Sequence, residues 1–381
     1  MTTPSSALPI YADYAATTPC DPRVLAHMMT VMQEHWGNPS STHYLHGRRA
    51  QRQLELARAQ VAALFKARED EIAFTSGATE ACNWALKAVA SSRPDQQILA
   101  LASEHPAITA CLEVIAQAGI PVQSLPILPC GRYDRAALKA ALAQPTSLVA
   151  AMLVNHQTGV MQDLAAMSEL AHAQGALVLS DLTQAIPRLG PCAVADLGID
   201  LAVCSGHKLY GPPGCGALYR RRGLHLQPLI HGGGQESGMR SGTENMPAIA
   251  GFGLAAELHL SESHQRLTVL QKRSVLLEGT LQQQLPAAVI YGQAAQRAPG
   301  ITMCGLVGEK SGWLQRIHQV ALSPGSSCAS RQAKPSSVLI AMGVSESDAA
   351  NALRVSLSHL TTEDEVQGII HAIRQAHAIT Y

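Results

Sequence analysis

Between residues 71 and 220 the chain repeats one pattern: a short apolar run, a turn, then a stretch with helical periodicity. The apolar runs fall at 71–74, 98–102, 122–125, 148–153, 177–179 and 201–204, and several carry no polar residue on either side. Such runs are expected for strands covered on both faces. The helical stretches fall at 81–90, 106–118 and 165–174, with Pro106 placed as a first helical residue and Gly119 and Gly175 as stops. This alternation predicts an α/β fold in which a mostly parallel sheet is sandwiched by helices. In such folds ligands bind outside the carboxyl ends of the strands, so the residues that follow each strand are where chemistry is sought.

The flanks are different. Residues 1–9 read as a tail, 22–32 as a helix, 37–41 as a loop and 46–64 as a longer helix with Leu54, Ala57, Val61 and Leu64 on one face. Its arginines, Arg48, Arg49, Arg52 and Arg58, read as a solvated face. Around residue 247 the pattern changes to a long, broken helical region, and the last hundred residues mix helices with strands such as 353–357. The expected division is a large domain over 17–258 and a smaller α+β domain built from 1–16 and 259–381.

With 28 basic and 28 acidic residues in 381, the chain has no global field to draw in nucleic acid or an anionic membrane. Any ligand must be held by local geometry. The N-terminus lacks the basic-then-apolar order of a secretory signal, and no apolar run reaches membrane-spanning length, which predicts a cytoplasmic protein. The nine cysteines are scattered and never form Cys-x-x-Cys pairs, which argues against a disulfide framework or a zinc cage.

Four strand ends carry candidate chemistry. Run 201–204 leads into Ser205-Gly-His-Lys-Leu-Tyr-Gly211, where Lys208 stands at a glycine-rich turn with little acidic company. A lysine so placed can have its pKa lowered enough to form a Schiff base. Run 71–74 leads into Thr75-Ser-Gly-Ala-Thr-Glu80, small residues and a hydroxyl opening a helix, the chemistry of an anion site. Run 177–179 ends in Ser180 and Asp181; if the ligand is pyridoxal phosphate, a carboxylate there keeps the pyridine nitrogen protonated. Run 98–102 delivers Glu104 and His105 to the same edge, and an imidazole can stack on an aromatic cofactor and carry protons. Singly, each has an ordinary structural reading as a cap, a turn residue or a core histidine. Their occurrence on one edge of one sheet is far more specific.

At this point the chain resembles the fold-type I pyridoxal-phosphate enzymes, and specifically the cysteine desulfurases of the NifS/IscS group in the class-V aminotransferase family. The resemblance runs from about Tyr11 to Ala376. It is carried by the three motifs above that hold Thr75, Lys208 and His105, the last as Glu104-His-Pro-Ala107, and by Asp13-Tyr-Ala-Ala-Thr-Thr-Pro19, Gly37-Asn-Pro-Ser40, His231-Gly-Gly-Gly234, Arg240-Ser-Gly-Thr-Glu-Asn245, Gly325-Ser-Ser-Cys-Ala-Ser330 and Arg354-Val-Ser-Leu-Ser358. The resemblance implies a homodimer that removes sulfur from L-cysteine, leaving alanine and a persulfide for a sulfur-acceptor protein such as an iron-sulfur scaffold. It implies that Lys208 carries pyridoxal 5'-phosphate, His105 stacks on its ring, Asp181 pairs with the ring nitrogen and Gln184 lies by the ring hydroxyl. Ala78, Thr79, Ser205 and His207 would hold the phosphate, with Thr243 reaching in from the other subunit. Arg354 and Asn38 would grip the substrate carboxylate, for which an arginine fork is geometrically suited. Cys328, in a run of small and polar residues, would be the nucleophile.

Two positions depart from the family pattern. His156 stands where an asparagine approaches the ring hydroxyl, and Gln157 replaces a carboxylate. An imidazole still donates one hydrogen bond, so cofactor binding is expected to survive. The rival readings are a selenocysteine lyase or aminotransferase of the same fold, and a low-activity scaffold; a thiol in the Cys328 loop argues against transamination.

Overall fold

The structure, a computed structural model, describes residues 8–306, 316–324 and 335–378. The first strand, β1 (Ile10–Tyr11), is short and pairs with a partner far along the chain. The next seven are β2 (Ile72–Thr75), β3 (Gln97–Leu101), β4 (Val122–Leu125), β5 (Thr146–Ala150), β6 (Leu177–Asp181), β7 (Leu201–Ser205) and β8 (Gly216–Arg220). They form one sheet in the order β2-β8-β7-β6-β5-β3-β4, parallel throughout except for β8, which runs antiparallel to both neighbours.

The apolar strands are explained by cover on both faces. Leu99, Leu101, Val149, Val178 and Ala202 point into one core with the helices Leu45–Leu64 and Leu164–His172. The alternate residues Ile98, Ala100, Leu148, Leu179 and Val203 point into the other, against the helices Ala78–Ser92 and Pro106–Gln117. Each residue between two buried neighbours is therefore itself buried, and the sequence shows runs in place of alternation.

The remaining strands are β9 (Ala288–Ile290), β10 (Ile301–Leu306), β11 (Val320–Ala321), β12 (Ser323–Pro324) and β13 (Ala352–Ser356). Four of them make an antiparallel sheet in the order β12-β13-β10-β9, while β11 pairs with β1 in parallel, Ile10 opposite Val320. The helix Glu363–Ala378 covers this sheet through Val366, Ile369, Ile370 and Ile373.

The expected broken helical region is one continuous helix, Met246–Gln284. Its first part is buried nearly all round, while its later part contributes Leu270, Leu277 and Leu281 to the core of the four-stranded sheet. The polar middle looks like an interruption because a partner is remote in sequence: Glu262 pairs with Arg23 at 2.6 Å, as well as with Arg266 one turn on at 2.6 Å. The boundary expected between 258 and 259 falls inside this helix. Among the described residues no helix is long and apolar enough to cross a membrane.

One close approach fixes the edge of the large sheet. A side chain at Gly216, where β8 begins between β2 and β7, would put its Cβ 2.6 Å from Gly77 Cα and 2.7 Å from the Cys204 carbonyl oxygen. Both contacts are backbone and cannot rotate away. Gly216→Ala is expected to destabilise the protein by about 2–4 kcal/mol, read as a lowered urea midpoint.

Candidate active site

The parallel strands deliver their following residues to one edge, and there a cavity of about 470 Å³ opens. Lys208 lines it from the single 3-10 turn Gly206–Lys208 that follows β7. Its Nζ donates to the carbonyl oxygens of Ala15, at 2.6 Å, and Ala16. Burial, then the nearby Arg354 and Arg188, push its pKa down to about 8, against the opposing pull of Asp13 and Asp181. An amine so placed has a far larger neutral, nucleophilic fraction near physiological pH than an ordinary lysine, although the ammonium form still predominates.

Asp181 ends β6, lines the cavity and accepts a hydrogen bond from the Thr183 amide at 2.8 Å. Gln184, one turn on, donates from Nε2 to the same Ala15 carbonyl at 2.8 Å and accepts on Oε1 from Arg188 Nε at 3.1 Å. His105 caps the helix Pro106–Gln117, its Nδ1 accepting from the Ala107 amide at 3.1 Å, so the neutral ring carries its proton on Nε2. Burial lowers its pKa. His156 meets it edge to face, with ring centroids 5.2 Å apart. Burial holds His156 well below the usual histidine range, and its Nδ1 is buried without a partner among the described residues.

The helix Ala78–Ser92 opens at the cavity with Gly77 as its cap residue, which has no side chain to occupy the first-turn amides. Those amides and the helix dipole favour an anion. Ser205 and His207 stand beside it on the cavity wall, and burial pushes His207 down to about 4. Glu80 closes the far side of the turn: it accepts from the Ser76 amide at 2.8 Å and pairs with Arg240 at 2.8 Å, tying the 240–245 loop to this helix start.

Arg354 enters from β13 on the opposite wall. Its Nη2 pairs with Asp13 at 2.7 Å, its Nη1 donates to the His156 carbonyl at 2.9 Å, and its Nε is buried without a partner among the described residues. Gln157 also lines the cavity, and its Oε1 accepts a hydrogen bond from the Ser336 hydroxyl.

The family profile "Aminotransferase class-V" matches residues 10–369. A curated "Cysteine desulfurase IscS" of Rickettsia massiliae (strain Mtu5) is 39% identical over 373 residues, covering 96% of this chain and 90% of the relative. The chain belongs to the class-V aminotransferase family, within its cysteine desulfurases of the NifS/IscS group. Two solved structures agree: a "NIFS-LIKE PROTEIN" with TM-score 0.89 and 31% identity, covering 98% of this chain and 100% of the other, and "SspA in complex with cysteine", TM-score 0.82 and 28% identity, covering 93% and 100%. The fold is that of the fold-type I enzymes.

The site fits the pyridoxal phosphate of this family. It offers an amine with a lowered pKa, a carboxylate at a strand end, uncapped helix amides, an imidazole, and two orphaned buried donor or acceptor atoms on His156 and Arg354. Of the residues that the family resemblance singled out, Ala78, Thr79, His105, His156, Asp181, Gln184, Ser205, His207, Lys208 and Arg354 all line the cavity. Asn38 and Thr243 are exposed and do not; Asn38 Oδ1 accepts from the Ser40 amide within its own loop. Cys328 lies outside the described residues.

Sequence reasoning missed how the family's Asp13-to-Pro19 motif acts. It forms a wall of the site: Asp13 holds Arg354, Ala15 and Ala16 hold Lys208, Thr17 Oγ1 lies 3.0 Å from His207 Nδ1, and Thr18 Oγ1 donates to the His207 carbonyl at 2.9 Å. The signal was the polar turn after a two-residue apolar run, which has meaning only once its distant partners are known.

Glu104, beside His105, was also left without a role. It is 3% exposed, and one oxygen accepts from the Met152 amide at 2.7 Å, clamping the end of β3 to that of β5. Its other oxygen has no partner among the described residues, and burial raises the carboxyl to about 8. Between the ordinary glutamate range and pH 8 the unfolded chain gives up this proton and the folded chain keeps it, so stability falls as pH rises through that window. Glu104→Gln, which cannot ionise, is expected to gain about 1–3 kcal/mol over wild type at pH 9 and little at pH 5 in urea unfolding.

Proposed function

We propose that this protein is a pyridoxal-phosphate-dependent cysteine desulfurase that takes sulfur from L-cysteine onto Cys328 and passes it to an acceptor. The observation that carries the reading is the convergence of Lys208, Asp181, His105 and an uncapped helix start on one cavity, in a chain of the NifS/IscS group. Bound there, pyridoxal phosphate would supply the electron-withdrawing ring that weakens the bonds at the substrate's Cα and Cβ.

The chain's own groups divide the remaining work. Lys208 Nζ would hold the cofactor and take the substrate's Cα proton; a pKa of about 8 suits an amine that must act in both protonation states. The Asp181 carboxylate keeps the ring nitrogen protonated, and His105 stacks on the ring. The amides at Ala78 and Thr79, with Ser205 and His207, would bind the phosphate. Gln184 and His156 stand by the ring hydroxyl. Arg354 binds the substrate carboxylate, joined by Asn38. At Cys328 the thiolate attacks the substrate sulfur; an S–S bond forms as the Cβ–S bond breaks, leaving a persulfide on the protein and alanine as the second product.

The location of Cys328 in sequence supports this order. β12, whose Ser323 and Pro324 line the cavity, ends shortly before it in the sequence.

The functional unit in this reading is a homodimer, with Thr243 completing the phosphate site of the other subunit. An exposed apolar stripe supports it: Leu25, Met29 and Met32 recur at helical spacing on the helix Pro22–Glu34 with Trp36 just beyond, and the four are 48, 60, 61 and 67% exposed. A stripe of that kind is usual at a subunit interface.

The decisive experiment measures alanine and sulfide released from L-cysteine with a thiol reductant. Wild type is expected to turn over, and Cys328→Ala to lose about a hundredfold or more of sulfide release while still changing the cofactor's absorbance on adding cysteine. Equal activity of the two would remove Cys328 from the reaction, and silence of both with cofactor bound would favour a scaffold. Asp13→Asn frees the Arg354 fork from its anchor; it is expected to raise KM for cysteine by about tenfold with a smaller change in kcat, read from steady-state kinetics.

A further inference from the structure

Arg188 has no part in that mechanism, yet it is one of the most deeply buried charges in the molecule. It lies in the short helix Ile186–Leu189 just after β6 and is 4% exposed. Among the described residues no carboxylate is within ion-pair reach of it. Burial lowers it to about 10, which still leaves it protonated at neutral pH. A buried cation without an anion is costly and is kept where its charge or its fork of donors is needed.

The fork is directed at the site. Nε donates to Gln184 Oε1 at 3.1 Å, and Nη1 donates to the Pro299 carbonyl at 3.3 Å, where Gly300 leaves room; a Cβ at that glycine would lie 2.5 Å from Nη1. A guanidinium cannot accept a hydrogen bond, so the Gln184 amide must turn its oxygen to Arg188 and its nitrogen the other way. One N–H of that nitrogen goes to the Ala15 carbonyl, which also accepts from Lys208 Nζ. The second N–H remains, on a residue that lines the cavity.

We propose that Arg188 is a positioning residue of the active site: it fixes the Gln184 amide so that an N–H, not a carbonyl, is offered to the ring oxygen of bound pyridoxal phosphate, and it keeps a permanent positive charge behind Lys208. This rests on the reading of Lys208 as the cofactor lysine. The charged groups around Lys208 come from several elements. Arg354 on β13 and Arg188 after β6 favour its neutral form, while Asp13 on the N-terminal segment and Asp181 at the end of β6 oppose them. His105 and His207, both lowered by burial, add no charge at neutral pH. Removing the Arg188 charge shifts the balance toward the protonated nitrogen, and losing the amide donor at the ring oxygen shifts it the same way.

The test titrates the visible absorbance of the cofactor-loaded protein against pH in wild type, Arg188→Met and Arg188→Lys, with thermal unfolding of each to establish that it is folded. The midpoint is expected to rise by about one pH unit in Arg188→Met, a tenfold change in the proton equilibrium, and by less than ~0.3 unit in Arg188→Lys, which keeps charge and donor. Arg188→Gln serves as the neutral variant if the methionine variant does not fold. A folded neutral variant that holds no cofactor is read at Lys208 directly, by the pH dependence of its acylation in mass spectrometry, with the same upward shift expected. An unchanged midpoint in a folded neutral variant overturns the proposal. A wild type that binds no pyridoxal phosphate overturns the proposed function and is told apart from that result at the first titration.

Discussion

The site depends on burying one amine. Lys208 Nζ sits between the carbonyl oxygens of Ala15 and Ala16, and withdrawing an ammonium from water costs several kcal/mol unless it is paired or loses its proton. Two carbonyl acceptors recover part of that cost and, among the described residues, no carboxylate touches the nitrogen, so its pKa comes down to about 8. For this to happen the N-terminal segment must be drawn across the strand ends. It is anchored there by partners hundreds of residues away: β1 on β11, Asp13 on Arg354, and the Ala15 amide on the Ser356 hydroxyl at 2.9 Å.

That strap joins the two sheets at the chemistry. The large sheet provides Asp181, His105 and Lys208 from the ends of three parallel strands, and the small sheet provides Arg354 from β13 and a wall from β12. Neither half holds the cavity alone. The Asp13 segment touches both, since its motif holds Lys208 and the Asp13 carboxylate holds Arg354, and so it couples the two.

Burial, more than charge, sets the protonation states. It is the leading cause of the shifts at Lys208, His105, His156, His207 and Glu104, and in each it favours the neutral form. Four nearby charges, Arg188, Arg354, Asp13 and Asp181, then trim the lysine in opposing directions. His156 belongs to this scheme: a neutral imidazole with an orphaned Nδ1 can serve as donor or acceptor where an amide would offer both at once.

Much of this was legible in the chain itself. Strands buried on both faces appear as unbroken apolar runs, so β3, β5, β6 and β7 could be read within a few residues, and a parallel sheet obliges their ends to meet on one edge. Lys208, Asp181, His105 and the Thr75-to-Glu80 turn follow from that rule before any coordinates. The Met246–Gln284 helix did not, because its polar middle is satisfied by Arg23, over two hundred residues earlier. Nor did the roles of Asp13 and Ala15, whose partners lie at positions 354, 356 and 208, or of Arg188, whose meaning rests on which way Gln184 turns. Local pattern is written by burial and periodicity, which neighbours in sequence share; the hydrogen bonds and charges that tune a buried amine come from residues brought together only by the folded chain, and those the tertiary structure alone decided.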